Sequence, residues 1–482
     1  MINYRIIARV FSILLILEGL MMLLSCLVAF LYNEHDAGAL LYSAIITLVT
    51  GIIGFTPVRN EERTYGNREG YIIVAGIWLI FTLFGTLPYI ISGTIRDFTN
   101  AFFESMSGFT TTGATLIKDI DSLPKGILFW RSLTQWIGGM GVIFLSLYIL
   151  PVFKDVNIQL STTEFSGQAS DKISPRTIDS IKRLLAIYII LTLSEIILLT
   201  MAGMPFFDSV CHSFGTMSTG GFTTHNNSLA AFSDPLIKVI ITLFMFIAGT
   251  NMTVIYFAFK REYNKVRTNN EFIFYIYICL IFSVLTSVVL FLNKTYSPGN
   301  SLVNGTFHIV SVITTTGFYT ENYNIWGDFL LFIIFIMMFT GGTTGSASGG
   351  IKIARLLIMT KNNIMDLRRQ IHPDGFIPVR LNQKLVPRNV VYNVLVFVIL
   401  YFFIVCLSAM IISLMGYDFI TSFGTSAAML GNIGPGIGSF GPFFNYAGLP
   451  VAGKWYKSGL MLLGRLELMT VLILFAKSFY RK

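Results

Sequence analysis

A chain of 482 residues that is 54% apolar and only 12% charged is not an ordinary soluble domain, where about a quarter of the residues carry charge. Its net charge of +9 is spread over short segments between apolar runs, which excludes one basic face for nucleic acid and fits a membrane-orientation pattern. The four cysteines, Cys26, Cys211, Cys279 and Cys406, lie far apart in or near apolar runs and form neither a metal-site spacing nor a disulfide framework.

A helix of about 20 apolar residues crosses a bilayer core. Ten runs reach that length: 11–32, 38–56, 71–91, 127–151, 184–205, 235–259, 271–292, 329–360, 389–415 and 457–476. Arg5 and Arg9 precede the first, as in a signal peptide, but the apolar run is too long and no small-residue cleavage pattern follows, so it reads as an uncleaved span. With a cytoplasmic N-terminus, most of the 34 Lys and Arg fall on the inside: Arg5 and Arg9; Arg59, Arg63 and Arg68; segments 152–183, 260–267 and 352–388; and Lys477, Arg481 and Lys482. That bias predicts both termini in the cytoplasm and an even number of spans. The basic loops 152–183 and 352–388 are topology determinants or docking surfaces for a cytosolic regulator or anionic lipid.

Between certain spans lie apolar stretches too short to cross, at 98–110, 206–218, 301–315 and 418–430, all on the outer side by this orientation. A small-residue turn follows each: Thr110-Thr111-Thr112-Gly113, Ser218-Thr219-Gly220-Gly221, Thr314-Thr315-Thr316-Gly317 and Gly431-Asn432-Ile433-Gly434. The final glycines recur at intervals of roughly 100 residues with the same element order between them, which marks an internal repeat. All four copies share one orientation, unlike the inverted repeats of many carriers. The expected fold is all-α integral membrane, with four membrane–pore-loop–membrane repeats around a pseudo-four-fold pore and two extra N-terminal transmembrane helices. The expected divisions are 1–66 (the two-helix segment), 67–152, 153–260, 261–370 and 371–482 (one repeat each).

Non-helical backbone at membrane depth is tolerated only where it lines a cavity. Four such turns on one axis can present carbonyl oxygens that replace the hydration shell of K⁺, as in tetrameric potassium channels. Glycine allows the backbone angles this requires, and short helices ending at the centre favour a cation there. One Thr-Thr-Thr-Gly is explained as an ordinary helix cap, but four at matching positions are not. The predicted K⁺ filter comprises Thr111, Thr112, Gly113, Thr219, Gly220, Gly221, Thr315, Thr316, Gly317, Asn432, Ile433 and Gly434.

These residues resemble the Trk/Ktr/HKT superfamily of potassium transporters over nearly the whole chain. The resemblance is carried by Phe102-Phe103-Glu104-Ser105-Met106-Ser107-Gly108-Phe109 and the turn after it, by the turns at Ser218–Phe222, Thr314–Phe318 and Gly431–Gly436, by Gly341–Lys352, and by Gly464-Arg465-Leu466-Glu467. The two extra leading spans look like the TrkH/TrkG branch. The resemblance implies a bacterial inner-membrane potassium uptake subunit that works as a homodimer with a cytosolic nucleotide-binding, TrkA-like ring. It implies K⁺ ions in the filter, no organic cofactor and no nucleic-acid partner. Gly113 implies K⁺ over Na⁺, since serine in the first turn is the family's sodium-tolerant variant. The fourth turn departs most, with Gly431-Asn432-Ile433 in place of threonines.

The run 329–360 is interrupted by Gly341, Gly342, Thr343, Thr344, Gly345, Ser346, Ala347, Ser348, Gly349 and Gly350. Glycine at this density destabilises a helix by about 1 kcal/mol per residue, so the helix should break within the membrane. A phosphate-binding loop is rejected because no Gly-Lys-Ser/Thr follows. By resemblance the segment is an intramembrane loop that obstructs the pore, and with Lys352 and Arg465 it forms the expected gate. Arg465 lies about 18 Å of helix rise before Lys477, too deep to reach the inner face easily. It is expected either to contact the gate loop as a positive barrier or to pair with Glu467 or Glu195.

Lesser signals remain. Gly436–Gly441 matches GxGxxG, but no strand precedes it and Pro442 follows, so dinucleotide binding is rejected. His212 and His308 are expected to pack or bond backbone. Glu104 and Asp418, near the pore mouth, are expected to draw cations electrostatically, or Glu104 only to cap or brace its helix. No His-Glu-x-x-His or nucleophile–base arrangement appears, so the chain is not expected to be an enzyme. The favoured function is a gated potassium pore; the alternative is a proton- or sodium-coupled symporter with alternating access.

Overall fold

The computed structural model describes residues 2–58, 66–148, 175–375, 377–382 and 384–480. Arg59, Arg63, the basic segment 152–174, Arg481 and Lys482 lie outside the described residues, so their expected inside placement has no structural account.

The described residues are mostly helical. Helices α1 (Tyr4–Leu31) and α2 (Ala37–Phe55) form an antiparallel pair, followed by α3 (Asn67–Gly85). The side chain of Asn3 caps α1 by accepting the backbone N–H groups of Arg5 and Ile6. Small residues set the α1–α2 approach. A Cβ on Gly51 would meet Ile16 and Ser12, and one on Gly19 would meet Leu48. Leu17, Leu20, Leu24 and Leu27 run down the other side of α1, all exposed, as expected of a face toward lipid.

The chain then alternates long helices with short ones. The first short helix, α4 (Phe98–Phe109), precedes α5 (Lys125–Tyr148). The outer α6 (Pro175–Met201) leads to the short α7 (Phe206–Met217), then α8 (Pro235–Ala248) and α9 (Met252–Phe259). The outer α10 (Asn270–Leu292) leads to the short α11 (Pro298–Ile313), then α12 (Asp328–Met337) and α13 (Ile353–Ile371). Finally α14 (Arg388–Leu414) leads to the short α15 (Phe419–Leu430) and α16 (Val451–Arg465). A two-residue hairpin, Arg380–Leu381 with Lys384–Leu385, lies before α14.

Among the described residues, six helices are long and apolar enough to cross a bilayer, and two bent pairs reach that standard together. Those pairs depart from the sequence expectation of continuous helices over 235–259 and 457–476. Between α8 and α9 the chain turns by 106°, and after α16 by 111°. The first break falls at Gly249-Thr250-Asn251, where the Asn251 side chain starts a new helix by accepting the Thr253 N–H at 2.7 Å. The second follows Gly464-Arg465, where Glu467 adopts a left-handed φ of 54°. The break expected within 329–360 is present, between Met337 and Ile353.

Candidate functional site: four converging turns and the loop beneath them

All four short helices end in the same hydrogen-bonded cap. In α4 the Thr111 N–H donates to Gly108 O (3.0 Å) and the Thr112 N–H to Ser107 O (2.9 Å). Thr219 and Gly220 repeat this on Thr216 and Gly215, Thr315 and Thr316 on Val312 and Ser311, and Asn432 and Ile433 on Met429 and Ala428. This cap needs one left-handed residue, and Thr111, Thr219, Thr315 and Asn432 take it, with φ of 52°, 55°, 57° and 55°. Three of those are β-branched, for which the conformation is an outlier that persists only where the surroundings impose it. Two residues on, Gly113, Gly221, Gly317 and Gly434 have φ of 80°, 77°, 77° and 95°.

The glycines are brought together in a cycle. A Cβ built on Gly113 would strike the carbonyl oxygen of Gly220, one on Gly221 that of Thr316, one on Gly317 that of Ile433, and one on Gly434 that of Thr112. Each turn thus packs backbone to backbone on the next, and the fourth returns to the first. The threonines of the turns are fully buried. Thr110 pairs with Thr112, and Thr314 with Thr316, at 2.8 Å through their hydroxyls. Asn432, the residue that departs from threonine, donates through Nδ2 to Thr112 Oγ1 (2.9 Å) and to Met461 O (2.9 Å).

The glycine-rich loop lies against the helix-cap end of these turns. Gly349 donates its N–H to Thr315 Oγ1 at 2.8 Å, and a Cβ on Gly349 would meet Gly431 O and Asn432. Its other side rests on the break between α8 and α9 and on the start of α10: the Thr343 N–H donates to Gly249 O (2.9 Å) and the Thr344 N–H to Glu271 Oε1 (2.6 Å). Gly341 N–H to Ile351 O (2.8 Å) closes its base, Gly342 N–H donates to Ser348 Oγ (2.8 Å), and Ser346 and Ser348 pair at 2.7 Å. Gly345 and Gly350 supply left-handed angles of 80° and 66°. Buried Lys352 donates to the Ser348 carbonyl, to Ser348 Oγ (3.2 Å) and to Ser346 O (3.5 Å). Arg465 donates through Nη1 to Ala347 O (2.5 Å) and through Nη2 to Gly138 O (3.0 Å), tying the loop to α5. Among the described residues it pairs with neither acid considered from sequence; Glu467 instead pairs with Arg355.

Several groups at the site were not singled out from sequence. Arg131 and Gln135 on α5 face the second turn. Arg131 forms an ion pair with Glu104 (2.9 Å) and donates to Thr223 O (3.1 Å), while Gln135 donates to Gly220 O (2.6 Å) and accepts from the Phe222 N–H (3.0 Å). The signal available was two polar residues one helical turn apart inside an apolar run. Lys457 is fully buried, donates to Thr425 Oγ1 on α15, and sits 5.0 and 5.1 Å from the rings of Phe440 and Tyr446. Beyond the second turn His225 Nδ1 meets Asp121 Oδ1 at 2.8 Å and Nε2 lies 3.7 Å from Asp208 Oδ2. Hydrogen bonding and charge from Asp208, then Asp121, push its pKa up to about 9.

Glu104 is a brace: it accepts from Thr115 Oγ1 (2.9 Å), Leu116 N–H (2.9 Å) and Arg131. Asp418 caps α15 through the Thr421 N–H (3.1 Å). His212 and His308 bond the carbonyls of Asp208 (2.8 Å) and Asn304 (2.9 Å), and no metal-binding cluster occurs among the described residues.

Residues 42–481 match the family model TrkH, described as a cation transport protein. The Trk system potassium uptake protein TrkH of Salmonella typhimurium is 36% identical over the full length of both chains. TrkG of Escherichia coli, also a Trk system potassium uptake protein, is 32% identical over 99% of each. The crystal structure of the potassium transporter TrkH from Vibrio parahaemolyticus superposes with a TM-score of 0.91 at 32% identity, covering both chains completely.

Proposed function

The chain belongs to the TrkH family of cation transport proteins, a family of transporters and not enzymes, and from that premise we propose that it is the membrane subunit of a Trk-type system that takes up potassium across the bacterial inner membrane through a gated, K⁺-selective pore. The observation that carries this reading is the closed cycle in which Gly113, Gly221, Gly317 and Gly434 each abut a carbonyl of the next turn. Backbone packed this closely leaves its remaining carbonyl oxygens for the axis, where they replace water around a dehydrated cation. The pore is then four membrane–loop–membrane repeats (67–152, 153–260, 261–370 and 371–482) around a pseudo-four-fold axis. Its filter is Thr111–Gly113, Thr219–Gly221, Thr315–Gly317 and Asn432–Gly434, with short helices pointing their partly negative C-termini at the ion.

The gate in this reading is the loop 341–350 with Lys352 and Arg465. Its hydrogen bonds to Thr315 and Gly249 hold it across the inner end of the filter, and two buried cations there oppose the exit of a third. K⁺ is the cargo, and the chain works as a homodimer with a cytosolic nucleotide-binding, TrkA-like ring, both termini facing the cytoplasm. The relatives named as Trk system proteins support the partner assignment.

Ion flux into liposomes holding the purified protein, compared for K⁺, Rb⁺, Na⁺ and Li⁺, tests the proposal. K⁺ and Rb⁺ flux without a proton or sodium gradient is expected. Flux strictly dependent on such a gradient would replace the pore with a symporter, and equal passage of Na⁺ would remove the selectivity claim.

A further inference from the structure

The four junctions between neighbouring turns are not built alike. At the level of the exit strands, the second and third turns meet through Tyr319 OH to Asn226 O (3.0 Å) and Leu229 N–H to Tyr319 O (3.2 Å). The third and fourth meet through Tyr323 OH to Gly436 O (2.6 Å), and the fourth and first through Tyr446 N–H to Thr115 O (2.9 Å). These are neutral groups. The first and second also meet directly, through Ile120 N–H to Asn226 Oδ1 (2.7 Å) and His225 Nδ1 with Asp121 Oδ1 (2.8 Å), but here alone among the four junctions described, side chains of α5 spaced one helical turn apart also lie along the strand Gly220–Thr223. Gln135 takes both Gly220 O and the Phe222 N–H; Arg131 takes Thr223 O and lies 4.0 Å over the Phe222 ring.

Turn two also lacks a side chain where the others carry Thr112, Thr316 and Ile433, and Gln135 occupies that space. A Cβ on Gly220 would lie 2.5 Å from Gln135 Cδ. The amide therefore replaces the packing that a residue at 220 would supply, and it engages one of the four equivalent carbonyls of the cycle. Arg131 is anchored in turn by Glu104, which also accepts from Thr115 and Leu116 beyond the first glycine. Arg131 and Glu104 are only 1% and 0% exposed. A buried ion pair adds little net stability over apolar groups of the same size, so stability does not explain it. What it supplies is a fixed distance between the first and second strands.

We infer that Arg131 and Gln135 are positioning residues for ion discrimination: together, with Glu104 as counter-ion, they hold the second filter strand at the spacing that suits K⁺. The inference rests on the pore reading and concerns residues outside the filter itself. Its test is the Na⁺ to K⁺ flux ratio of the purified full-length protein in liposomes, measured for Gln135→Met, Arg131→Lys and Glu104→Gln. Each variant is expected to raise that ratio by about tenfold, equivalent to about 1.4 kcal/mol of lost discrimination. Leu133→Ala, a buried apolar truncation on the same helix, serves as the comparison: it should lower the melting temperature without moving the ratio. Should the charge variants fail to fold, uncharged Gln135→Met decides alone. An unchanged ratio in the folded variants, or an equal shift in Leu133→Ala, overturns the inference. A wild type that does not discriminate overturns the pore reading as well, whereas a selective wild type with equally selective variants counts against this inference only.

Discussion

Gly349 and Thr315 are joined by a hydrogen bond of 2.8 Å from a loop backbone N–H to a turn hydroxyl. Thr315 is one of the left-handed residues that end the short helices, and Gly349 belongs to the interruption of the next long helix. The loop is therefore part of the wall of the site and not a tether beside it. Thr315→Val removes the acceptor, keeps the side-chain shape and leaves a buried N–H unpaired, a loss of about 1–3 kcal/mol. If the loop obstructs the pore, this variant should pass K⁺ several-fold faster in a liposome assay, with the ion ranking kept. Slower or unchanged flux would mean that the bond supports the turn and not closure.

Arg465 is the stronger restraint on the same loop, since it holds Ala347 O and Gly138 O at once. Charge-assisted bonds contribute about 1.5–3 kcal/mol each. Their joint loss in Arg465→Ala should shift the closed-to-open ratio by at least about tenfold, seen as a higher K⁺ flux per protein. Deleting residues 345–348 removes the carbonyls that Arg465 and Lys352 hold and should act in the same direction. A folded protein with wild-type flux after both changes would remove the gate from the mechanism.

The ring glycines give a prediction with a built-in comparison. Alanine at Gly113, Gly221, Gly317 or Gly434 must fit a methyl group into a neighbouring carbonyl and also hold a left-handed φ, which by itself costs about 1 kcal/mol. K⁺ flux should fall by about tenfold or more, or selectivity should collapse, at each of the four positions. Gly459 lies in α16 with nothing near its missing Cβ, so Gly459→Ala should leave flux unchanged. A tolerated Gly113→Ala or Gly317→Ala would show that the cycle does not touch the ion.

Much of this arrangement was legible in the chain. The short apolar stretches at 98–110 and 418–430 coincide with Phe98–Phe109 and Phe419–Leu430 because a sharp fall in apolar length and an acidic cap mark their ends. The glycine density at 341–350 foretold the break between Met337 and Ile353. The bends after Ala248 and Arg465 were hidden because only one glycine and a few polar residues stand at each, with apolar helix on both sides. They are held by tertiary bonds, such as that from Thr343 to Gly249 O. Arg131 and Gln135 were passed over within an apolar span, since their partners lie about 90 residues away in the next turn and only the folded chain joins them.

His225 provides the pH test. Its pKa of about 9 lies above the ordinary 6.5 because Asp208 and Asp121 face it, while Asp119 binds its neighbour Asn226 and His212 lies on the adjacent helix α7. A histidine whose folded-state pKa is raised contributes stability that is fully present below about 6.5, and this is lost as pH rises through about 9. The groups are partly exposed, so the effect is small. At pH 6 the wild type should melt about 1–3 °C above His225→Gln, and at pH 10 the two should coincide. The link joins the loop after the first turn to the strand after the second. Its loss above pH 9 should therefore raise the Na⁺ to K⁺ flux ratio of the wild type toward that of His225→Gln, whose own ratio stays flat with pH. A constant melting difference from pH 6 to pH 10 would mean that the imidazole acts there by packing against Phe232 and not by its charge.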